Sequence, residues 1–264
     1  MAMQEEGTFL AVERQQIIRE ILEREGVVRN AELKQILQVS TVTIRADLRE
    51  LESVGLCEVI WGGAVYKQPV IEAEPLLLTR RSKLNQDEKR RIGARAAQLI
   101  ESGQTLIVDA GSTTVELVRQ LPRDLDYLRI VTPALNIAAE AMLFPQVELV
   151  MTGGVLRNLT YSLIGPQVIH SLEMFNADWA FLASGGFTPD QGVTTSNVLE
   201  AELKKTIIAR AQRVALLADH TKFGNALSLT VARLDEIDVL ITDTGMSKEN
   251  VLQIRSAGVE VILV

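Results

Sequence analysis

The chain has 264 residues, 47% hydrophobic and 23% charged, which excludes wholesale disorder and fits one or two domains with real cores. Its 27 Lys+Arg against 34 Asp+Glu give a formal charge of −7, which argues against a nonspecific nucleic-acid coat, and 4% aromatic residues disfavour a single-strand binder built on stacking platforms. The single Cys57 excludes an internal disulfide and a cysteine-based zinc cluster, and two histidines leave little for a metal site.

The opening MAMQEEG lacks the basic patch and apolar run of a secretory leader, and no apolar stretch approaches the length of a membrane span. The expectation is a cytoplasmic protein without cofactor, metal or membrane contact. Three helical signals come first. Residues 13–25 carry Ile17, Ile18, Ile21 and Leu22 at helical spacing and stop at Gly26; residues 31–37 follow Asn30 as N-cap, with Leu33, Ile36 and Leu37 on one face. Residues 41–54 follow the N-cap Ser40, with Ile44, Leu48, Leu51 and Val54 inward and Gly55 as the stop. Only Gln38, Val39 and Ser40 separate the last two helices, which is helix-turn-helix spacing. CEVIW, Gly62-Gly63 and AVY then read as a hairpin, so residues 10–66 are expected to form a winged helix. A helical packing module that touches no nucleic acid is the plainer reading of the same spacing.

Residues 67–83 contain Pro69 and Pro75 and no sustained periodicity, and read as a linker. From residue 84 to 264, apolar β-branched runs at 106–109, 129–131, 147–151, 179–183, 214–218, 238–241 and 259–264 alternate with helical patterns at 86–101, 114–121, 134–143, 198–211 and 247–256. That alternation predicts an α/β domain with a mostly parallel sheet covered on both faces.

Ligands of such sheets bind beyond the carboxyl ends of the strands, so the turns there are the places to read. Asp109-Ala110-Gly111-Ser112-Thr113-Thr114 offers close backbone approach, hydroxyls and a helix N-terminus, which suit a phosphate or a sugar; plain helix capping by Ser112 or Thr113 is the competing reading. The run is neither GxGxxG nor a Walker loop. Thr132-Pro133, Gly153-Gly154, Gly185-Gly186 and Asp219-His220-Thr221-Lys222 occupy comparable places. In the last, the carboxylate suits sugar hydroxyls and the ammonium a phosphate, or the pair is a solvated turn. Glu200, Glu202, Lys204 and Lys205 read as a charged helical face, with Glu200 kept as a candidate by the preceding GVTTSN loop. A Ser–His–Asp triad would need His170 or His220 and finds no GxSxG elbow, while Cys57 reads as packing. Paired carboxylates for isomerisation, from Asp109, Asp219 and Glu200, stay open.

The run VSTVTIRADLRELESVGLCEVIWGGAV (39–65) resembles the DNA-binding signature of DeoR-type bacterial repressors, and DEKRRIG (87–93), VDAGSTT (108–114), TPALNIA (132–138), TGGVLR (152–157), IGP (164–166) and LADHTKFG (217–224) follow in the family's order. The resemblance covers about residues 10–264. It implies a winged helix joined to an effector-binding domain similar in fold to ribose-5-phosphate isomerase, with phosphorylated sugars or related metabolites as effectors and carbohydrate-catabolism operons as targets. By position it implies that Asp109, Gly111, Ser112, Thr113, Thr114, Gly153, Gly154, Glu200, Asp219 and Lys222 fall on the family's ligand pocket. The chain departs from the family at Ala46, where a second arginine is usual, and at Val59 and Trp61, where the wing favours Arg and His. Residues 1–68 hold 8 Lys+Arg and 11 Asp+Glu, a net charge of −3, and residues 79–95 hold 7 and 2, a net of +5.

With Ile44, Leu48 and Leu51 inward, Val42, Arg45, Ala46 and Arg49 face outward and Thr43 flanks that arc. Val42, Thr43, Arg45 and Arg49, with Ser40 and Thr41 at the helix start and Trp61 in the wing, are the DNA-facing candidates. The expected function is a DNA-binding repressor of carbohydrate genes, not an enzyme, acting on double-stranded operator DNA as a homodimer or higher homo-oligomer. The alternatives are a sugar-phosphate isomerase with a helical assembly module, and an interaction module that pairs chains.

Overall fold

The computed structural model describes residues 11–53, 56–66 and 78–264. The chain divides into two compact units between Glu72 and Ala73. The first contains α1 (Ala11–Glu25), β1 (Val27–Arg29), α2 (Asn30–Leu37), α3 (Thr41–Ser53), β2 (Cys57–Ile60) and β3 (Gly63–Tyr66). Ile18 and Leu22 from α1, Leu33 and Leu37 from α2, and Ile44, Leu48 and Leu51 from α3 close over Val28, Cys57 and Ala64 to form one core. The inward faces expected of α1 and α3 are thus the ones buried; Val54 and Gly55 lie outside the described residues.

Three local features differ from expectation, the first being Ile36, which the spacing puts on one face with Leu33 and Leu37 but which is 50% exposed. Asn30 is the first helical residue of α2 and not its cap, because its backbone N–H is taken by the Gly62 carbonyl at 2.8 Å. That bond continues a strand the periodicity did not show, β1, which pairs antiparallel with β3. Ser40 behaves as expected: its hydroxyl accepts the Thr43 N–H at 3.1 Å and starts α3. Gln38, in the left-handed region at φ 53°, ends α2. An ion pair ties α1 to α3, with Arg14 Nε and Nη2 reaching Asp47 Oδ2 and Oδ1 at 2.8 and 3.0 Å.

The second unit opens with a short helix, α4 (Leu78–Arg81), inside the stretch read as a linker. Leu78 is buried, and its N–H donates to the Leu159 carbonyl, so this segment packs as part of the α/β unit. Then follow α5 (Gln86–Ala97), β4 (Thr105–Val108), α6 (Thr114–Arg119), β5 (Leu128–Thr132), α7 (Leu135–Ala141), β6 (Val147–Met151), β7 (Val155–Arg157), β8 (Ser162–Ile164), α8 (Pro166–Glu173) and β9 (Ala177–Ala183). The remainder is β10 (Gly186–Thr188), β11 (Gly192–Thr195), α9 (Val198–Ala209), β12 (Ala211–Leu217), β13 (Leu229–Ala232), β14 (Val239–Thr242), α10 (Lys248–Ser256) and β15 (Glu260–Leu263).

Among the described residues, β15-β14-β12-β9-β4-β5-β6 form one sheet in that order, and every pairing is parallel. Alternate strand residues feed two cores: Ile107, Leu182, Leu216 and Leu240 on one face, and Leu106, Val108, Phe181, Leu217 and Ile241 on the other. Both faces are buried, which is why these strands are continuous apolar runs in sequence. From β4 the order runs outward through β5 and β6, and the later strands extend the other way from β9. The β4/β9 junction is therefore the switch point where open α/β sheets leave a crevice. The short β7–β8 hairpin and the β10-β11-β13 sheet stand apart from the main sheet.

Candidate functional site

Asp109 follows β4 at that junction and is buried. Its Oδ2 accepts the Ala183 N–H from the end of β9 at 3.1 Å and pairs with Lys204 Nζ from α9, which also donates to the Ala183 carbonyl at 2.8 Å. One turn earlier on α9, Glu200 accepts hydrogen bonds from Thr160 Oγ1 at 2.9 Å and Thr195 Oγ1 at 3.2 Å, and lies 3.1 Å from Arg157 Nε. The cavity between these groups, bounded also by Arg81, Ser162 and Leu227, is about 40 Å³. Both acids are thus paired with cations of the same unit, Asp109 with Lys204 and Glu200 with Arg157.

Arg81 is central to this cluster. Its Nη2 lies 3.5 Å from the Ser184 carbonyl, and burial pulls its guanidinium below the usual arginine range against the opposing charges of Glu200, Asp109 and Asp219. Asp219, beyond β12, is fully buried; its Oδ1 accepts from Asn85 Nδ2 at 3.0 Å, from Thr221 N–H at 3.1 Å and from the Thr221 hydroxyl. Its Oδ2 is buried and finds no hydrogen-bond partner among the described residues. Burial lowers the Lys222 ammonium, with Asp219 opposing and Arg81 adding to the shift. Lys89 on α5, also buried, donates to the Arg81 and Leu84 carbonyls; burial lowers it to about 8, with Asp219 opposing.

The remaining expected residues are placed differently. Gly111 lies under the site: a Cβ there would stand 2.3 Å from Ala183 Cβ and 2.8 Å from Thr114 Oγ1, so only glycine lets this turn pass β9. Thr114 donates to the Asp109 carbonyl at 2.8 Å, and Thr113 occupies the α6 N-cap position without a side-chain cap bond. Ser112 faces a larger groove of about 580 Å³ along α5, α6 and α7. Gly153 and Gly154 turn the chain from β6 to β7 at φ 70° and 114°, with Gly154 against Val168, and do not bound the carboxylate cavity.

A second polar cluster pins the Asp219–Lys222 turn. Buried Asp243 accepts the His220 N–H at 2.8 Å, His220 Nδ1 at 2.7 Å and the Gly245 N–H at 2.9 Å. Burial raises its pKa, but these donors outweigh it and hold the carboxyl below the usual range. A depressed carboxylate stabilises the fold above its unfolded value of about 3.9, and that contribution is lost as pH falls through the lower folded value. Asp243→Asn is accordingly expected to be less stable than the native chain at neutral pH, with the gap closing below about pH 4 in urea titrations. A gap that stays constant down to acid would show that the charge contributes nothing.

In the first unit, Val42 (77% exposed), Arg45, Ala46 and Arg49 form the outer face of α3, while Thr41 and Thr43 are half-buried. The Ser40 and Thr43 hydroxyls lie 2.9 Å apart. Trp61, at the β2–β3 turn, is entirely exposed. Cys57 is buried, with Sγ 3.6 Å from the Leu48 carbonyl and a thiol pushed up by burial, as a packing residue should be. His170 is an exposed residue of α8. Among the described residues no group of three or more His, Cys, Asp or Glu could hold a metal ion, and no helix is long and apolar enough to cross a membrane.

Sequence reasoning missed Arg81, Lys89, Arg157 and Lys204 as site residues. The i, i+4 spacing of Glu200 and Lys204 was the available signal, since it puts both on one face of α9.

Residues 14–70 match the DeoR-like helix-turn-helix domain and residues 84–244 the DeoR C-terminal sensor domain. The chain is 33% identical over 251 residues to an HTH-type transcriptional regulator, GolR, of Listeria innocua, covering 94% of this chain and 97% of that one. It is 34% identical over 251 residues to a putative aga operon transcriptional repressor of Escherichia coli O157:H7, covering 95% and 93%. Among solved structures, ribose 5-phosphate isomerase A of Methanocaldococcus jannaschii aligns at a TM-score of 0.39 with 17% identity, over 53% of this chain and 55% of that one. With both domain models matched in order and relatives aligned along nearly their full length, the chain belongs to the DeoR family of transcriptional regulators.

Proposed function

We propose that this regulator is a cytoplasmic repressor of carbohydrate genes whose operator affinity is set by a phosphorylated sugar bound at the Asp219–Lys222 turn after β12, beside Arg81. The division of labour follows residues 10–66 for DNA and 78–264 for the effector, since α4 and its Arg81 pack with the α/β unit. The observation that carries the reading is the unpartnered, buried Oδ2 of Asp219 beside Lys222 and Arg81. An unsatisfied buried carboxylate oxygen is costly, and a sugar hydroxyl is the donor it lacks. The neighbouring cations suit the phosphate of the same molecule. Two copies reading a palindromic site are the expected assembly.

The test is an operator titration with and without a panel of aldose and ketose phosphates. A panel that leaves both operator affinity and thermal stability unchanged would overturn the effector assignment.

On the DNA side, Arg45→Ala is expected to cost about 1–3 kcal/mol and relax sequence preference, whereas Arg49→Ala weakens all sequences alike. Equal losses on operator and random DNA for both would reverse the assignment. Trp61 supplies an intrinsic probe, since the other tryptophan, Trp179, is buried beneath Arg213, whose guanidinium carbon lies 4.2 Å from the ring centroid. Operator binding is expected to shield Trp61 from acrylamide quenching; unchanged quenching at saturating DNA would remove the wing from the interface.

A further inference from the structure

We infer that Val42 is a specificity-determining residue that reads a thymine C5-methyl group in the operator half-site. The inference rests on the DNA-binding reading above and adds a base identity to it. In the first turn of α3, the Ser40 hydroxyl accepts the Thr43 N–H and lies 2.9 Å from the Thr43 hydroxyl, so both hydroxyls are engaged with each other. Ile44 and Leu48 are fully buried. Val42, 77% exposed, is left as the outermost apolar side chain of that turn. The N-terminal residues of a recognition helix are the ones that reach base edges, and the thymine methyl is the apolar feature of the major groove.

Its surroundings narrow the target. Arg45 and Ala46 stand three and four residues on, hence on the same face, and both are exposed. Three residues of helix rise about 4.5 Å, against about 3.4 Å per base step, so the thymine lies within one or two steps of the guanine that Arg45 would hold. Ala46 adds a second small apolar group to that face. Asp47, the next residue, is turned away and held by Arg14 at 2.8 Å, which keeps its carboxylate off this face. A first unit with a net charge of −3 over residues 1–68 also draws little affinity from phosphates, which leaves apolar groove contacts a larger share.

The experiment selects a binding site from random-sequence duplexes with the native full-length chain. It then replaces each thymine of one half-site by deoxyuridine, which deletes only the methyl group. The native chain is expected to lose roughly three- to fivefold in affinity at one such position, the worth of one buried methyl, and Val42→Ala to lose almost none there. Arg45→Ala should keep the deoxyuridine effect while losing guanine preference nearby. No thymine whose methyl matters to the native chain and not to Val42→Ala would overturn the inference while leaving operator binding intact. A Val42→Ala chain whose mass in sedimentation falls to a smaller assembly, with the deoxyuridine effect unchanged, would assign the residue to a contact between copies and also overturn it. A native chain that selects no duplex at all would bring down the DNA-binding reading itself.

Discussion

Lys204→Met is expected to cost about 3–5 kcal/mol of stability, the usual penalty for breaking a buried ion pair from one side. Asp109 would keep its Ala183 N–H bond but lose its only ammonium partner in the described structure, in a site whose side chains are 2% and 10% exposed. For a unit of this size the loss corresponds to a fall in melting temperature of roughly 6–20 °C. Combining it with Asp109→Asn should recover much of the loss, because the uncompensated charge disappears while the acceptor for Ala183 remains. Calorimetry on the single and double variants measures the coupling directly. A Lys204→Met chain within about 1 kcal/mol of the native one would mean that water already screens the pair.

Lys222→Ala is expected to leave operator affinity without effector nearly unchanged and to abolish the response to it. Lys222 lies in the α/β unit, on the turn after β12 beside Asp219 and Arg81. Allosteric coupling is typically about 5–150-fold in affinity and exists only where the effector distinguishes two states of the protein. Losing the ammonium removes the grip on phosphate, and with it the distinction. Arg81→Ala should behave in the same way. Operator titrations at several effector concentrations provide the readout. If Lys222→Ala switches at the native concentration, the lysine is outside the pocket; if it fails to bind DNA without effector, its role is in folding or assembly.

What could be seen in the sequence follows from how each element is stabilised. β4, β5, β9 and β14 are buried on both faces, so their apolar runs announce them, and β12, β6 and β15, covered only in part, keep enough of an apolar run to be read. β1 is three residues long and owes its existence to β3, whose sequence lies more than thirty residues away, and no local pattern encodes that. β7, β8, β10, β11 and β13 are likewise three or four residues each, too short to show a period, and are defined by their pairing. Asp109 and Asp219 were readable because they stand in turns after strands, and Glu200 because it opens a helix just behind the GVTTSN loop. Their cations were not: Lys204 looks like any helical surface charge until its four-residue spacing from Glu200 is noticed, and Arg81 lies in four helical residues that follow a proline-bearing stretch. Asn30 misled for a related reason, since a good capping residue caps only if the preceding chain is not already in a strand.

The strand order also sets a timetable for making the protein. β4, β5 and β6 emerge first and can pair with one another, yet β4 then presents a bare edge whose proper neighbour, β9, is still unmade. The gap from Val108 to Ala177 is about 69 residues, or roughly 3–14 s of synthesis at 5–20 residues per second. During that interval Leu106, Ile107 and Val108 form an apolar, unpaired strand edge, the kind of template that recruits other nascent chains. Chaperone demand on the ribosome should therefore peak before β9 emerges, and chains truncated between β6 and β9 should aggregate where chains ending after β12 do not.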